Sequence, residues 1–146
     1  MVLKNLAPLR AMPLQKLSLQ HASVKDYSPL QDLSITMLTL GKTTIKDLDF
    51  LENMPLETLD LRNSTVINIT ALQSIHSLKY LYFNPRNVGT NWEESIKALS
   101  NIKVLATSYS EESSQQSPAQ FWINYNKGKY KKTNKLWDYQ ILVRAL

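Results

Sequence analysis

Apolar residues recur along this chain with a period of about 21 residues. A fixed period of this length is the sequence signature of a repeat architecture, and it outweighs local propensity. Three consecutive segments, which begin at Met12, Leu33 and Met54, superpose position by position. Their matching apolar residues are Leu14, Leu17, Leu19, Val24, Tyr27 and Leu30 in the first, Ile35, Leu38, Leu40, Ile45, Leu48 and Leu51 in the second, and Leu56, Leu59, Leu61, Val66, Ile69 and Leu72 in the third.

Weaker copies of the pattern flank these three segments. A fourth copy follows one residue late, a degraded fifth comes after it, and half a copy precedes the first, so the chain begins in mid-repeat. Terminal repeats normally carry a polar cap. We therefore expect either a longer natural protein or an N-terminal end that another chain covers, which makes self-association through this open end a prediction. The matching residues are Leu78, Leu81, Phe83 and Val88, then Ile102, Leu105 and Thr107, and before them Leu3, Leu6 and Leu9.

Each repeat predicts one short strand followed by a bend. In the segment Leu17-Ser18-Leu19 the alternate leucines share one face, which predicts a strand with the leucines pointing inward. The position of Asp26, which recurs as Asp47 and Asn68, predicts a tight turn or a short 3₁₀ stretch. Pro29 suits the start of that stretch because its missing N–H would lack a partner there anyway. Stacked repeats then form a parallel sheet.

The spacing resembles the leucine-rich repeat, in the short bacterial form of the internalin-like type. It is closer still to the repeat segments of bacterial proteins that also carry a serine/threonine kinase-like domain, in which the array ends in a Pro-Arg-Asn element and a Phe-Trp-containing helix. Residues 84–88 and 121–125 look like both. The resemblance implies an α/β fold: a right-handed leucine-rich-repeat solenoid with a short-strand parallel sheet on the concave face, 3₁₀ segments and turns on the convex side, and a C-terminal helical cap.

This chain departs from the leucine-rich pattern at the position that usually holds asparagine, which is occupied by Ala22, Thr43, Ser64 and Arg86. The hydroxyl groups of Thr43 and Ser64 can still bond backbone groups at the bend, whereas Ala22 cannot. The first bend is therefore expected to be held less tightly.

The C-terminal third breaks the repeat pattern. Asn91 as a helix N-cap, with Trp92, Ile96 and Leu99 on one face, predicts a short amphipathic helix. A second helix is predicted to start at Ser117-Pro118 and to cover the last repeat. We divide the chain into a solenoid of residues 1–108, a polar loop of residues 109–117, and a helix with a basic and apolar tail, residues 118–146, that caps the array. The alternation in residues 136–146 fits a strand, with a terminal helix as the alternative.

The net charge of +5 comes from the C-terminal tail. Residues 1–119 carry eleven Lys/Arg and eleven Asp/Glu, whereas residues 120–146 carry six Lys/Arg and Asp138 alone. Four lysines at 127–132, interleaved with tyrosines, have the composition of a nucleic-acid patch. The short cluster favours a solvated stretch instead, so nucleic-acid contact stays an alternative function. Self-assembly through the apolar part of the tail is another.

Enzyme chemistry has little support in the sequence. With no cysteine and only His21 and His76, no metal constellation is recognisable, and the three scattered glycines form no phosphate-binding loop. Kinase signatures are absent. We predict no catalytic, cofactor-binding or metal-binding residue. No apolar run approaches the roughly 18 residues of a membrane-spanning helix and no secretory signal is evident, so a cytoplasmic protein is expected as written.

The positions between the strand leucines are predicted to point to the concave face, where solenoids usually bind their partners. Tyr80, Tyr82 and Arg62 belong to residue types enriched at binding hot spots. The sequence therefore predicts a non-enzymatic protein–protein interaction module whose binding face is centred on Tyr80, Tyr82, Arg62 and Asp60, with Lys16 in the same rows. The alternative is that these cross-strand neighbours simply stabilise an exposed sheet. The partner is not identifiable from the sequence.

Overall fold

A computed structural model describes residues 4–107 and 115–128 of the chain. A single sheet runs through it with strands in sequence order, β1 to β6. The first five strands are parallel, and the sixth pairs antiparallel with the fifth. The strands are β1 Lys16–Ser18, β2 Met37–Thr39, β3 Thr58–Asp60, β4 Tyr80–Tyr82, β5 Val104–Ala106 and β6 Gln115–Gln116.

The strand register matches the repeat alignment residue by residue. Lys16 pairs with Met37 and Met37 with Thr58, each one repeat further along the chain. Thr58 pairs in turn with Tyr80, and Tyr80 with Val104. The strands therefore stay in register although the fourth repeat begins one residue late. Parallel strands of one sheet need a crossover connection, which each repeat supplies. The predicted α/β leucine-rich-repeat solenoid is confirmed.

The side opposite the sheet is built from 3₁₀ helices, as predicted. The first is held at its start by Asn5, whose Oδ1 accepts from the N–H of Ala7 at 2.9 Å. In the next repeat Asp26 Oδ1 accepts from the N–H of Ser28 at 2.9 Å, and Pro29 lies in the first turn. Asn68 repeats the arrangement two repeats later. Within the described residues the 3₁₀ helices are Ala7–Ala11, Ser28–Leu30, Asp49–Leu51 and Thr70–Ser74.

A single apolar core lies between the sheet and the 3₁₀ helices. Leu38, Leu59 and Leu81 come from successive strands and are fully buried. Leu30 and Leu51, from the 3₁₀ helices, belong to the same buried cluster. Leu17 is only partly buried because β1 is an edge strand: within the described residues no strand pairs with its outer side. Burial of these repeated leucines is the main stabilising contribution, at roughly 1.5–3 kcal/mol for each fully buried side chain.

Hydroxyl groups hold the bends that follow the second and third strands. Thr43 Oγ1 donates to the carbonyl of Leu40 at 2.7 Å, and Ser64 Oγ donates to the carbonyl of Leu61 at 2.5 Å. Both side chains are buried, so the predicted substitution of a hydroxyl for the usual asparagine is confirmed at these two positions. Ala22 has only its backbone N–H for this purpose, which bonds to the carbonyl of Leu19.

The residue at each of the first three bends has a left-handed backbone. His21, Lys42 and Asn63, which are spaced by one repeat, have φ angles of 62°, 58° and 59°. This backbone conformation lets the N–H at such a bend donate to a carbonyl of the next repeat. The N–H of Lys42, for example, donates to the carbonyl oxygen of Arg62 at 3.1 Å. Asparagine tolerates a left-handed backbone well, whereas lysine does not. The fourth repeat carries Pro85 here, whose ring holds φ near −65°.

Replacing Lys42 with asparagine should therefore stabilise the protein by about 0.5–1 kcal/mol, because the bend keeps its geometry with less backbone strain. The free energy of unfolding from urea denaturation measures the gain. Lys46→Asn is the control, since Lys46 is exposed and has no left-handed backbone. Equal stability changes in the two variants would contradict this explanation of the bend.

Two α-helices close the C-terminal end of the core. The predicted amphipathic helix is α1, Trp92–Lys97, with Trp92 and Ile96 buried. Asn91 occupies the N-cap position, but its side chain makes no capping hydrogen bond. The predicted final helix is α2, Pro118–Asn126. Here the N-cap is satisfied, because Ser117 Oγ accepts from the N–H of Gln120 at 3.2 Å.

An aromatic cluster joins the two helices to the fourth strand. Phe121 is fully buried, with its ring centroid 5.6 Å from that of Phe83. Trp92 of α1 stacks on Trp122 of α2 at 5.8 Å and an interplanar angle of 3°. The hydroxyl of Tyr125 donates to Glu93 Oε1, and this bond is the main cause that raises the pKa of Tyr125. The prediction that the last helix covers the final repeat is therefore confirmed.

The predicted polar loop differs from the structure at its end. Gln115 and Gln116 form β6, which pairs antiparallel with Leu105 and Ala106. This strand covers the edge of the sheet that would otherwise carry unpaired backbone groups. The loop prediction was wrong at these two residues because polar composition does not exclude strand pairing with a neighbouring edge.

Several predictions lie outside the described residues: residue 108 at the end of the predicted solenoid, residues 109–114 of the predicted loop, the choice between strand and helix for residues 136–146, and assembly or nucleic-acid contact through the tail beyond residue 128. Leu3, in the N-terminal half-repeat, is likewise outside them. Among residues 4–107 and 115–128, no helix is long and apolar enough to cross a membrane.

Candidate concave binding face

Four of the five residues predicted to form the binding site lie on one face of the sheet, in two rows that cross the parallel strands: Lys16, Tyr80, Asp60 and Tyr82. We call this face the concave face. The fifth predicted residue, Arg62, lies two residues beyond the end of β3. Strand pairing aligns the first row from β1 to β5, and the second row is aligned two residues further along each strand. The first row is Lys16, Met37, Thr58, Tyr80 and Val104, and the second is Ser18, Thr39, Asp60, Tyr82 and Ala106.

Asp60 and Arg62 form a bidentate ion pair on this face. Arg62 Nε donates to Asp60 Oδ1 at 2.8 Å and Arg62 Nη2 donates to Oδ2 at 2.9 Å. The N–H of Arg62 also donates to Asp60 Oδ1 at 3.0 Å. The carboxylate side chain is only 3% exposed and the guanidinium side chain 18%. Such a fork geometry holds both side chains in one orientation and neutralises the buried carboxylate.

Gly41 leaves the space beside this ion pair. A Cβ atom at Gly41 would lie 3.1 Å from the carbonyl oxygen of Arg62 and 3.8 Å from Asp60 Oδ2. Any side chain at this position would press on the backbone that carries Arg62. The absence of a side chain at Gly41 therefore lets neighbouring repeats approach closely at the ion pair.

Tyr82 completes a buried cluster with the ion pair. Its residue exposure is 6%, and the Arg62 guanidinium carbon lies 5.6 Å from the centroid of its ring. Burial raises the pKa of Tyr82, and the nearby Arg62 charge opposes the shift. The structure thus brings Tyr82, Arg62 and Asp60 together, but it leaves Asp60 and Tyr82 with little surface for a partner to touch.

The more accessible part of the concave face is its N-terminal half. Lys16, Ser18 and Gln20 are exposed, and the side chains become progressively more buried toward the C-terminal strands. Met37 is 38% exposed in the middle of the first row, beside Lys16. Tyr80 is half-buried in the same row. Lys16 and Tyr80 therefore lie where a partner can reach them.

Met37 was not among the predicted site residues. It lies in the first row, between Lys16 and Thr58. A large apolar side chain at an outward-facing position is the sequence signal that could have identified it. Isolated exposed apolar residues are common on protein surfaces. Only its place in the row, together with Tyr80, makes Met37 part of a continuous accessible patch.

A second ion pair borders the first row. Lys79, just before β4, contacts Glu57, just before β3, with 2.6 Å between Nζ and Oε1. Both side chains are substantially exposed, so this pair contributes little to stability. Its effect on the site is to compensate the charge of Glu57.

A cleft lined by residues of the first and second repeats lies outside the concave face. It has a volume of about 500 Å³ and runs between the bends of the first and second repeats. Tyr27 and Phe50 stack at its base with ring centroids 5.2 Å apart, and both are largely buried. Its rim carries two lysines and two aspartates. Hydrogen bonds from Ser28 lower the pKa of Asp26, which ties that carboxylate to its own turn. The lining residues are Val24, Lys25, Asp26, Tyr27, Ser28, Thr44, Ile45, Lys46, Asp47 and Phe50.

Candidate chemistry for catalysis or metal binding is sparse in the described part of the chain. His21 lies at the first bend and His76 follows the fourth 3₁₀ helix, and both are exposed. Residues 4–107 and 115–128 contain no group of three or more His, Cys, Asp or Glu side chains placed to hold a metal ion. The arrangement on the concave face offers shape, charge and apolar surface for recognition.

Comparison with known proteins finds similarity among solved structures only. No protein-family model matches the chain. No curated protein matches it either. Among solved structures, an internalin from Listeria monocytogenes is similar, with 22% sequence identity and a TM-score of 0.44. The similarity covers 73% of this chain and 45% of the internalin chain, so this chain corresponds to less than half of that protein.

Proposed function

We propose that this chain is a non-enzymatic protein-recognition module that binds its partner on the concave face of the sheet. The observation that carries the proposal is the accessible row of Lys16, Met37 and Tyr80 on a continuous sheet, with Met37 38% exposed. Concave sheets are the usual binding surfaces of solenoids. An apolar side chain flanked by polar neighbours is the composition of an interface centre.

The rigid cluster behind this row supports the same proposal. Asp60 is fixed by two hydrogen bonds from the Arg62 guanidinium, and Tyr82 packs beside them. Because the Arg62 side chain is already held in one orientation, contact with a partner would cost it little further side-chain freedom. In this proposal Tyr80, Arg62 and Lys16 contact the partner, while Asp60 and Tyr82 hold Arg62 in place.

Photo-crosslinking tests the proposal. A photoreactive phenylalanine analogue placed at Met37 should capture one discrete protein in extracts of the native host. The same analogue at Ile67, which is 64% exposed and lies outside the sheet, is the matched control and should not capture it. With that protein purified, we expect Met37→Glu to weaken binding at least tenfold and Ile67→Glu to leave the affinity unchanged.

Circular dichroism and the urea midpoint of each variant verify that the fold is retained. Tyr80→Ala belongs in the same series, since Tyr80 is partly accessible. Tyr82→Ala does not, because loss of a buried ring would change stability and binding together. Capture of the protein from Ile67 as strongly as from Met37, or unchanged affinity of Met37→Glu, would place the binding surface elsewhere.

The resemblance of the repeats to those of kinase-like bacterial proteins adds a finer proposal: the module serves as the recognition part of a larger signalling protein. The alternative, assembly or nucleic-acid contact through the basic tail, rests on residues of which only Lys127 and Gly128 are described, and it stays a prediction. Nucleic-acid binding would weaken steeply with salt and disappear when residues 127–146 are removed.

A further inference from the structure

Building on the proposed concave-face function, we infer the chemistry of its partner: an extended acidic peptide segment in which a carboxylate and an aromatic or large apolar side chain lie four residues apart. The three supporting observations are the charge balance of the concave face, the position of Met37, and the spacing of the row between Lys16 and Tyr80.

Charge balance favours an acidic partner. The two acids on or beside the rows are compensated, Asp60 by Arg62 and Glu57 by Lys79. Lys16 is exposed and makes no ion pair with any described residue, and Lys103, just before β5, is exposed as well. The accessible charge that residues 4–107 leave uncompensated on this face is therefore positive. Complementary potentials across an interface select the partner and reject like charges.

The apolar surface beside Lys16 favours a peptide over a simple polyanion. Met37 pairs in register with Lys16, and Thr58 and Tyr80 continue the same row. A partner recognised by charge alone would make no apolar contact with the partly exposed Met37 side chain. Exposed ion pairs add little affinity, so the apolar contacts at Met37 and Tyr80 supply most of the binding while Lys16 sets the charge preference.

Spacing along the row sets the spacing in the peptide. Neighbouring strands lie about 4.8 Å apart, so the three steps from Lys16 to Tyr80 span about 14 Å. An extended peptide advances about 3.3 Å per residue, and four residues therefore span about 13 Å. A carboxylate above Lys16 then places the side chain four residues away above Tyr80, and a side chain between them above Met37. Either chain direction satisfies this geometry.

Selection from a displayed library of random nine-residue linear peptides tests the inference on the full chain. Wild-type protein should enrich peptides with Asp or Glu four residues from an aromatic or large apolar residue. Selection on Lys16→Glu should enrich Lys or Arg at the former acidic position. Lys25→Glu is the control, because Lys25 is exposed but lies at the rim of the cleft outside the sheet, and it should select the same peptides as wild type.

The consensus peptide, synthesised and titrated by fluorescence anisotropy, should bind Lys16→Glu at least fivefold more weakly than wild type. A peptide with Lys in place of the acid should reverse that order. An enriched pool without acidic residues, an unchanged pool on Lys16→Glu, or no enrichment at all would overturn the inference. An apolar pool that Met37→Glu no longer selects would overturn it while leaving the concave-face function intact. Failure of both the selection and the Met37 crosslink would remove the proposed function as well.

Discussion

Replacing Phe121 with alanine is expected to lower the free energy of unfolding by about 3–5 kcal/mol, the usual cost of removing a fully buried aromatic ring. Phe121 is completely buried, and its ring contacts those of Phe83, Trp92 and Trp122 at centroid distances of 5.6, 6.3 and 5.3 Å. The helix that carries it covers the last repeat. The cavity would therefore open at the C-terminal end of the core, where no further described repeat can close it.

Urea unfolding monitored by tryptophan fluorescence measures the change, since Trp92 and Trp122 belong to the same cluster. Ile123→Ala in the same helix is the control and should cost far less, because Ile123 is 46% exposed. Solenoid repeats contact only their neighbours, so amide hydrogen exchange should accelerate in α1, α2 and β5 but change little in β1 and β2. Uniform acceleration over the whole chain would show that the cap and the repeats unfold as one unit.

Replacing Gly89 with alanine is expected to destabilise the protein by about 3 kcal/mol, at the upper end of typical overpacking costs. A Cβ atom at this position would lie 1.9 Å from the carbonyl oxygen of Ile67 and 2.9 Å from its carbonyl carbon. Both are backbone atoms of the preceding repeat, so no side-chain rotation can relieve the overlap. The segment after β4 would have to move away from that repeat.

The matched control is Gly41→Ala, whose Cβ would meet the carbonyl oxygen of Arg62 at 3.1 Å. That contact is tight without overlapping, so a smaller loss of about 1 kcal/mol is expected. Both values follow from urea denaturation curves. If Gly89→Ala proves no more destabilising than Gly41→Ala, then residues 84–89 do not lie as close to the backbone of Ile67 as this structure has them.

The spacing of apolar residues was sufficient to predict the strands. Leu17, Leu38 and Leu59 are one repeat apart, and they pair side by side in the sheet. This success has a physical basis: in a parallel stack every repeat must bury the same positions against its neighbours, so the period of the sequence becomes the register of the sheet. The hydroxyl bonds of Thr43 and Ser64 were predictable for the same reason.

Burial on the concave face was not predictable from the same pattern. Alternation predicts which way Asp60 and Tyr82 point and places both at the centre of the binding face, yet both side chains are buried. Arg62 folds back on Asp60, and the position opposite is Gly41, which leaves room for this packing. An acid and an arginine two residues apart on one strand face are a sequence signal for such a pair. How far the pair is withdrawn from solvent depends on neighbours contributed by other repeats.

The sequence by itself determined the repeat length, the strand register and the inward-facing leucines, because each follows from the periodicity imposed by a stack of like units. The helix that covers the last repeat was predictable from the local start signal Ser117-Pro118. Only the tertiary structure decided which outward-facing side chains a partner can reach. Accessibility is set by contacts between repeats, such as Arg62 on Asp60 or β6 on β5, that no single repeat encodes. For this reason the accessible patch is centred on Met37, beside Lys16, whereas Tyr82 is buried and packs against Arg62.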